Sequence, residues 1–154
     1  MKKKLGALAF SLMVLSTPLY EASAAEGGIN GEPEIIDEDI VTSTMEPEEG
    51  SMGIMSSGTR TSTTRTYSGA FSSYYAVARN EATQIQDLMT VRGRIFNGNG
   101  GMVYDLSDRQ QSTREVSVTL SHGGNSYYGH YAVGNHFYQR SGYVDTRHET
   151  RSNW

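Results

Sequence analysis

The sequence predicts an all-β protein, a single small antiparallel β-sandwich of immunoglobulin-like size with six or seven strands. Three observations carry this expectation. Apolar residues recur with a two-residue period in several runs, and Gly/Asn/Ser clusters separate those runs. No apolar pattern of helical period outlasts one turn. A small closed barrel is the alternative arrangement of the same strands.

Residues 1–25 read as a cleaved signal peptide. Lys2, Lys3 and Lys4 form a basic start, Leu5 to Leu15 an apolar run, and Ala22-Ser23-Ala24-Ala25 supplies small residues for the peptidase. The apolar run is too short for a permanent bilayer anchor, so the mature chain is expected to be secreted, free or loosely held at the cell wall. Residues 26–60 read as a disordered acidic linker or pro-segment turning into Gly/Ser/Thr-rich sequence. Between Glu26 and Glu49 acids abound without a single Lys or Arg, Pro33 and Pro47 interrupt, and aromatics are lacking. The folded domain is expected over 61–154.

Within that domain, Tyr67, Phe71, Tyr75 and Val77 are assigned to an inner face, with Tyr74, Ala76 and Ala78 opposite. Asn80 to Thr83 reads as a turn or one helical turn. Gln84 to Phe96 is a strand with Met89, Val91 and Ile95 on one side and Thr90, Arg92, Arg94 and Phe96 on the other. Asn97-Gly98-Asn99-Gly100-Gly101 is the strongest turn in the chain, because Asn and Gly tolerate positive φ. Met102 to Leu106 returns from it, and Asp108 to Ser112 reads as a polar connection. Arg114 to Tyr138 then reads as a β-hairpin: Val116, Val118 and Leu120 alternate with polar residues, His122 to Ser126 turns, and a Tyr/Val/Phe-rich run comes back. Ser141 to Trp154 supplies a last strand, with Val144, Thr146, His148 and Thr150 on one side. Asp145, Arg147 and Glu149 share the other and are placed to pair with one another. So weak an apolar side suits an edge strand.

Several chemistries are excluded or left without support. The chain has no cysteine, which removes disulfides, thiolate sites and acylated-Cys anchors. Net charge is −4, and all ten arginines lie from Arg60 onward, interspersed with seven acids. That balance falls short of a nucleic-acid footprint. His130, His136 and His148 are the candidate metal ligands, but their spacing fits no zinc motif. No phosphate loop, nucleophile elbow or carboxylate pair is present, so neither a cofactor nor an enzymatic activity is expected. A hydrolase built on the C-terminal histidines is kept as an alternative.

Aromatic content is the most suggestive feature. Nine of the ten tyrosines follow position 60, more than a small core accommodates, and the doublets Tyr74-Tyr75 and Tyr127-Tyr128 must point to opposite faces. Lysine is absent after Lys4, and arginine suits forked hydrogen bonding and stacking on rings. Tyr74, Tyr75, Arg92, Arg94, Tyr127, Tyr128, Tyr131 and Arg147 are therefore the candidate binding residues. The expected function is a secreted, non-enzymatic interaction module whose Tyr/Arg face contacts a surface glycan, an envelope component or a protein. The plainer alternative for the tyrosines is cross-strand pairing that stabilises a sheet. The export signal, the Ser/Tyr/Gly/His-rich composition and the terminal Trp154 together resemble secreted bacteriocins of the lactococcin type. That resemblance implies an antimicrobial or toxin-like polypeptide, and reading the acidic segment as its leader predicts an extra cut between Glu49 and Arg65.

Overall fold

The computed structural model describes residues 33–51, 57–68, 74–121 and 128–154. The expected signal peptide, Phe71, His122 and Tyr127 lie outside the described residues. Six strands form one antiparallel sheet: β1 (Glu34–Thr44), β2 (Thr59–Ser68), β3 (Tyr74–Phe96), β4 (Met102–Leu120), β5 (Tyr131–Gln139) and β6 (Thr146–Asn153). The described residues contain no helix.

β3 organises the sheet because its 23 residues serve two layers. β4 follows one of its edges from end to end. The other edge is divided: Tyr74–Ala82 pairs with β2, and Leu88–Phe96 pairs with β5. β1 then extends β2, and β6 extends β5. Register breaks between Glu81 and Gln86, beside Ser112 with its φ of 51°, mark a bulge that bends both long strands. The two halves of the sheet fold face to face about this bend. The all-β, antiparallel expectation holds, but one coiled sheet takes the place of two separate ones, and the result is nearly a barrel.

The apolar core lies where the two halves of β3 and β4 meet. Ala76, Ala78, Val116, Val118 and Leu120 from one layer face Met89, Val91, Ile95, Ala132 and Tyr138 from the other. The layers approach closely because small residues line them. A Cβ on Gly93 would stand 2.6 Å from Leu120 Cδ1, so Leu120 occupies the space a side chain would need.

Beside this core the interior is polar. β2 and β6 cross it as facing strands joined by matched pairs. Arg60 Nη1 donates to Thr146 Oγ1 at 2.6 Å, and Ser62 Oγ lies 2.8 Å from His148 Nδ1. Thr64 and Thr150 hydroxyls are 2.5 Å apart, and those of Thr66 and Ser152 are 3.0 Å apart. Every pair is separated by 86 residues, so the two strands run in the same direction across the interior. Burying hydroxyls is tolerable when each finds a partner, and each such bond is worth about 1 kcal/mol net.

Side chains rather than a ladder close the gap between β1 and β6. Asp39 Oδ2 accepts from the Arg151 amide at 2.8 Å, and Asp37 Oδ2 from the Asn153 amide at 2.7 Å. The Asp37 carbonyl also accepts from Ser152 Oγ at 2.8 Å. Bonding to the Asn153 amide holds the Asp37 carboxyl below its ordinary range.

Four expectations are corrected. The acidic stretch is not wholly unstructured: Glu34–Thr44 is a strand, and Met45 beyond it is buried. Its carboxylates are what cap β6, a use that composition does not reveal. Ala76 and Ala78 face inward while Tyr75 and Val77 face out, because closely spaced layers admit small residues. Asn80–Thr83 and Asp108–Ser112 are neither turn nor connection, since β3 and β4 run through them with a bulge. The runs of the expected 114–138 hairpin do not pair with each other; β4 and β5 lie on opposite edges of β3. A two-residue period fixes which way side chains face and leaves the neighbouring strand open. The Asn97–Gly101 turn is as expected, with Asn97 Oδ1 accepting from the amides of Asn99 at 3.0 Å and Gly101 at 2.9 Å.

Gly134 provides a test of the close packing. A Cβ there would overlap Thr64 Oγ1 and His136 Nε2. Gly134→Ala is expected to lower stability by about 1–3 kcal/mol, the usual cost of overpacking. Gly98→Ala, where the added Cβ would come no nearer than 3.5 Å to the Gly129 carbonyl oxygen, should cost much less in the same urea titration. Equal midpoints for the two variants would contradict the packing described here.

Candidate binding face

The outward residues of β4, β3, β5 and β6 form one continuous face. Strand pairing aligns Arg109, Thr90, Phe137 and Arg147 in one row. The next rows are Ser107, Arg92, Asn135 and Glu149, then Asp105, Arg94, Val133 and Arg151. Phe96, Tyr131 and Asn153 complete it. Five guanidinium groups thus share the face with the carboxylates of Asp105 and Glu149, and Asp145 borders it.

Aromatic rings order these arginines. Phe96 and Tyr131 stack with centroids 5.1 Å apart, and the Arg151 guanidinium lies 3.8 Å from the Tyr131 centroid. β5 sits between β3 and β6, so Tyr131 is held between Phe96 on one side and Arg151 on the other. Arg94 stands 5.5 Å from the Phe96 ring, and Arg147 stands 4.5 Å from that of Phe137. Such contacts are worth about 0.5–1 kcal/mol each at exposed sites. Arg92 takes Asp105 in a two-pronged ion pair, its Nε donating to Oδ1 at 2.9 Å, and this bonding keeps the Asp105 carboxyl below its usual range. Arg94 donates to Asn135 Oδ1, and Asn135 Nδ2 donates to Glu149 Oε2 at 2.8 Å. An open groove of about 380 Å³ is lined by Thr90, Arg92, Asn135, Phe137 and Arg147, together with His136 and His148.

The opposite outer face has a different character. Arg79 is shared between Glu81 at 3.0 Å and Glu115 at 2.9 Å, and Arg65 pairs with Glu38. Tyr67 stacks on Tyr75 with centroids 4.6 Å apart. Charges there are matched one against another.

Of the residues nominated from sequence, Arg92, Arg94, Tyr131 and Arg147 come together on the basic face. Tyr75 lies on the charge-matched face, and Tyr74 is half-buried against the core. Tyr128 is 95% exposed in a turn. Phe96, Phe137, Arg109 and Arg151 were not nominated. Parity alone grouped Phe96 with Arg92 and Arg94; Arg151 required knowledge that β6 borders β5. Asp145, Arg147 and Glu149 do not interlock: Arg147 lies over Phe137, and Glu149 takes the Asn135 amide.

One histidine serves the interior. His136 is buried, with Nδ1 bonded to Asn80 Oδ1 and Nε2 2.7 Å from Thr150 Oγ1. Asn80 Nδ2 donates to the Thr90 carbonyl at 2.9 Å, which fixes Oδ1 as the acceptor toward His136. His136 is therefore the neutral Nδ1–H tautomer, and Thr150 donates to Nε2. Burial, reinforced by the charge of His148, lowers its pKa from 6.5 to about 4. His148 is half-buried beside Ser62, and burial with the nearby Arg60 charge lowers its pKa too. His130 precedes β5, its carbonyl accepting from the Trp154 amide at 3.1 Å. Among the described residues no three His, Asp or Glu side chains converge as a metal site, and no helix is long and apolar enough to cross a membrane.

No protein-family model matches the chain, and neither a curated protein nor a solved structure matches it.

Neutral burial of His136 makes stability depend on pH with a definite sign. Its folded pKa is depressed, so its contribution is complete above the unfolded value of 6.5 and is lost as pH falls toward about 4. His148 acts in the same direction. The expected loss between pH 7 and pH 4.5 is on the order of 3 kcal/mol by urea titration, and His136→Gln should flatten the slope. A pH-independent stability across that window would contradict the neutral buried ring.

Proposed function

We propose that the protein is a secreted, non-enzymatic binding module that contacts a glycan, an envelope component or a protein through the β4–β3–β5–β6 outer face. The observation that carries this is the ring-ordered arginine cluster. Arg94, Arg147 and Arg151 are held by Phe96, Phe137 and Tyr131, and Arg109, Arg147 and Arg151 form no ion pair among the described residues. A sheet face needing only stability and solubility would be served by matched pairs like those around Arg79. Ordering long cationic side chains in advance lowers the entropy lost when a partner binds.

The competing readings have less support. A hydrolase working through the C-terminal histidines needs an accessible ring nitrogen, whereas both nitrogens of His136 are engaged inside the sheet and Nδ1 of His148 is held by Ser62. A toxin released from its acidic leader would have to shed β1, whose Asp37 and Asp39 cap the edge of β6.

Arginine footprinting tests the assignment. The secreted protein is incubated with the envelope fraction of the producing cells and treated with phenylglyoxal, and modified sites are read by mass spectrometry. Protection is expected at Arg92, Arg94, Arg147 and Arg151, with Arg65 and Arg79 unchanged. Protection at Arg65 and Arg79 instead would move the contact surface to the other face.

A further inference from the structure

We infer that the arginine–aromatic face binds an acidic polysaccharide, its carboxylates taken by the guanidinium N–H edges of Arg147 and Arg151. This rests on the binding-module reading and narrows it to one ligand chemistry.

The rings decide against a neutral sugar. Protein recognition of an uncharged pyranose by aromatics requires a free ring face, and Tyr131 has none: Phe96 lies on one side and Arg151 on the other. Phe137 has one face covered by Arg147. The groups presented outward are planar cations whose N–H edges match a carboxylate in two-pronged fashion. Stacking fixes the plane of each guanidinium before a ligand arrives.

The distribution of charge favours spaced anions over a dense run of them. Arg147 and Arg151 are four residues apart on an extended strand, roughly 13 Å. Glu149 stands between them, tied to Asn135. A polymer with one carboxylate per sugar can place its charges on the arginines and a hydroxyl beside Glu149. Duplex nucleic acid carries a charge every ~1.7 Å of axis and would set phosphates against that carboxylate. Single strands depend on stacked bases, for which the covered rings offer no platform. An anionic membrane is less suited as well. The large exposed apolar side chains sit on β1 (Ile35, Ile36, Ile40), at the bend (Ile85), along the β4 edge (Met102, Val103, Leu106) or in the connections before β5 and β6 (Tyr128, Val144), not at the centre of this face.

The test uses the secreted protein with four probes: polygalacturonate, neutral dextran, vesicles of phosphatidylglycerol and phosphatidylcholine, and duplex DNA. Binding to polygalacturonate at low salt is expected to exceed binding to each other probe at least tenfold and to weaken as salt rises. Arg147→Gln/Arg151→Gln should lower it at least tenfold. Arg147→Lys/Arg151→Lys, keeping the charge without the planar fork, should lower it several-fold. Arg65→Gln/Arg79→Gln on the other face should leave it unchanged, and circular dichroism checks that each variant is folded. No binding to polygalacturonate, or preference for dextran, vesicles or DNA, would overturn the inference. If a preferred alternative probe is nevertheless lost with Arg147 and Arg151, the face remains the contact surface and only its ligand was misassigned. Polygalacturonate binding that survives loss of both arginines would instead sink the face itself.

Discussion

A row of hydrogen-bonded pairs between β2 and β6 holds this sheet in its folded-over form. Arg60 with Thr146, Ser62 with His148, Thr64 with Thr150 and Thr66 with Ser152 meet at a constant offset in sequence. The chain has no disulfide, and among the described residues its apolar cluster lies on the β3/β4 side. On the other side the layers are joined through polar atoms. His136 extends the row inward, linking Asn80 to Thr150 and so tying β3 and β5 to it. Such a network is specific because each donor has one position for its acceptor, and losing one partner strands the other at a cost of about 1–3 kcal/mol. Leu120 on Gly93, and the Thr64 and His136 atoms around Gly134, show how little room for adjustment remains.

The outer surface inherits its order from that interior. β6 is aligned against β5 by the ladder and against β2 by the polar row. This alignment delivers Arg147 and Arg151 to Phe137 and Tyr131. Asp37 and Asp39 contribute from the far side of the sheet by capping the amides that β6 would otherwise leave open, which also blunts an edge prone to pairing with other chains. The acidic and basic halves of the sequence are thereby parts of one design: acids complete the closure, and arginines ride on the strand so closed.

Much of this was legible in the residues. Alternation in Gln84–Phe96 assigned Met89, Val91 and Ile95 to the interior and Arg92 and Arg94 to the exterior, because bulky aliphatic and charged side chains differ greatly in their cost of burial. The Asn97–Gly101 turn was readable because its conformation demands those residue types. The interior role of Thr64, Thr66, Thr150 and Ser152 was not, since a threonine satisfied by a partner 86 residues away looks the same in sequence as one facing water. For the same reason the tail read as a weakly apolar edge, and Glu34–Thr44 as solvated acid. Arg92, Arg94, Tyr131 and Arg147 were picked out by type. Their neighbours Phe96, Phe137 and Arg151 emerged only with the order of strands, which periodicity does not encode.

Strand order is accordingly the claim on which both interior and binding face stand. Nuclear Overhauser contacts in a sample with methyl-labelled alanine, isoleucine, threonine, leucine and valine measure it directly. The account predicts contacts from Thr64 to Thr150, across the interior between β2 and β6, and from Ala132 to Ile95 along the β3–β5 ladder. Contacts joining Val116, Val118 and Leu120 to backbone partners in β5, with none between Thr64 and Thr150, would mean a local 114–138 hairpin and would contradict it.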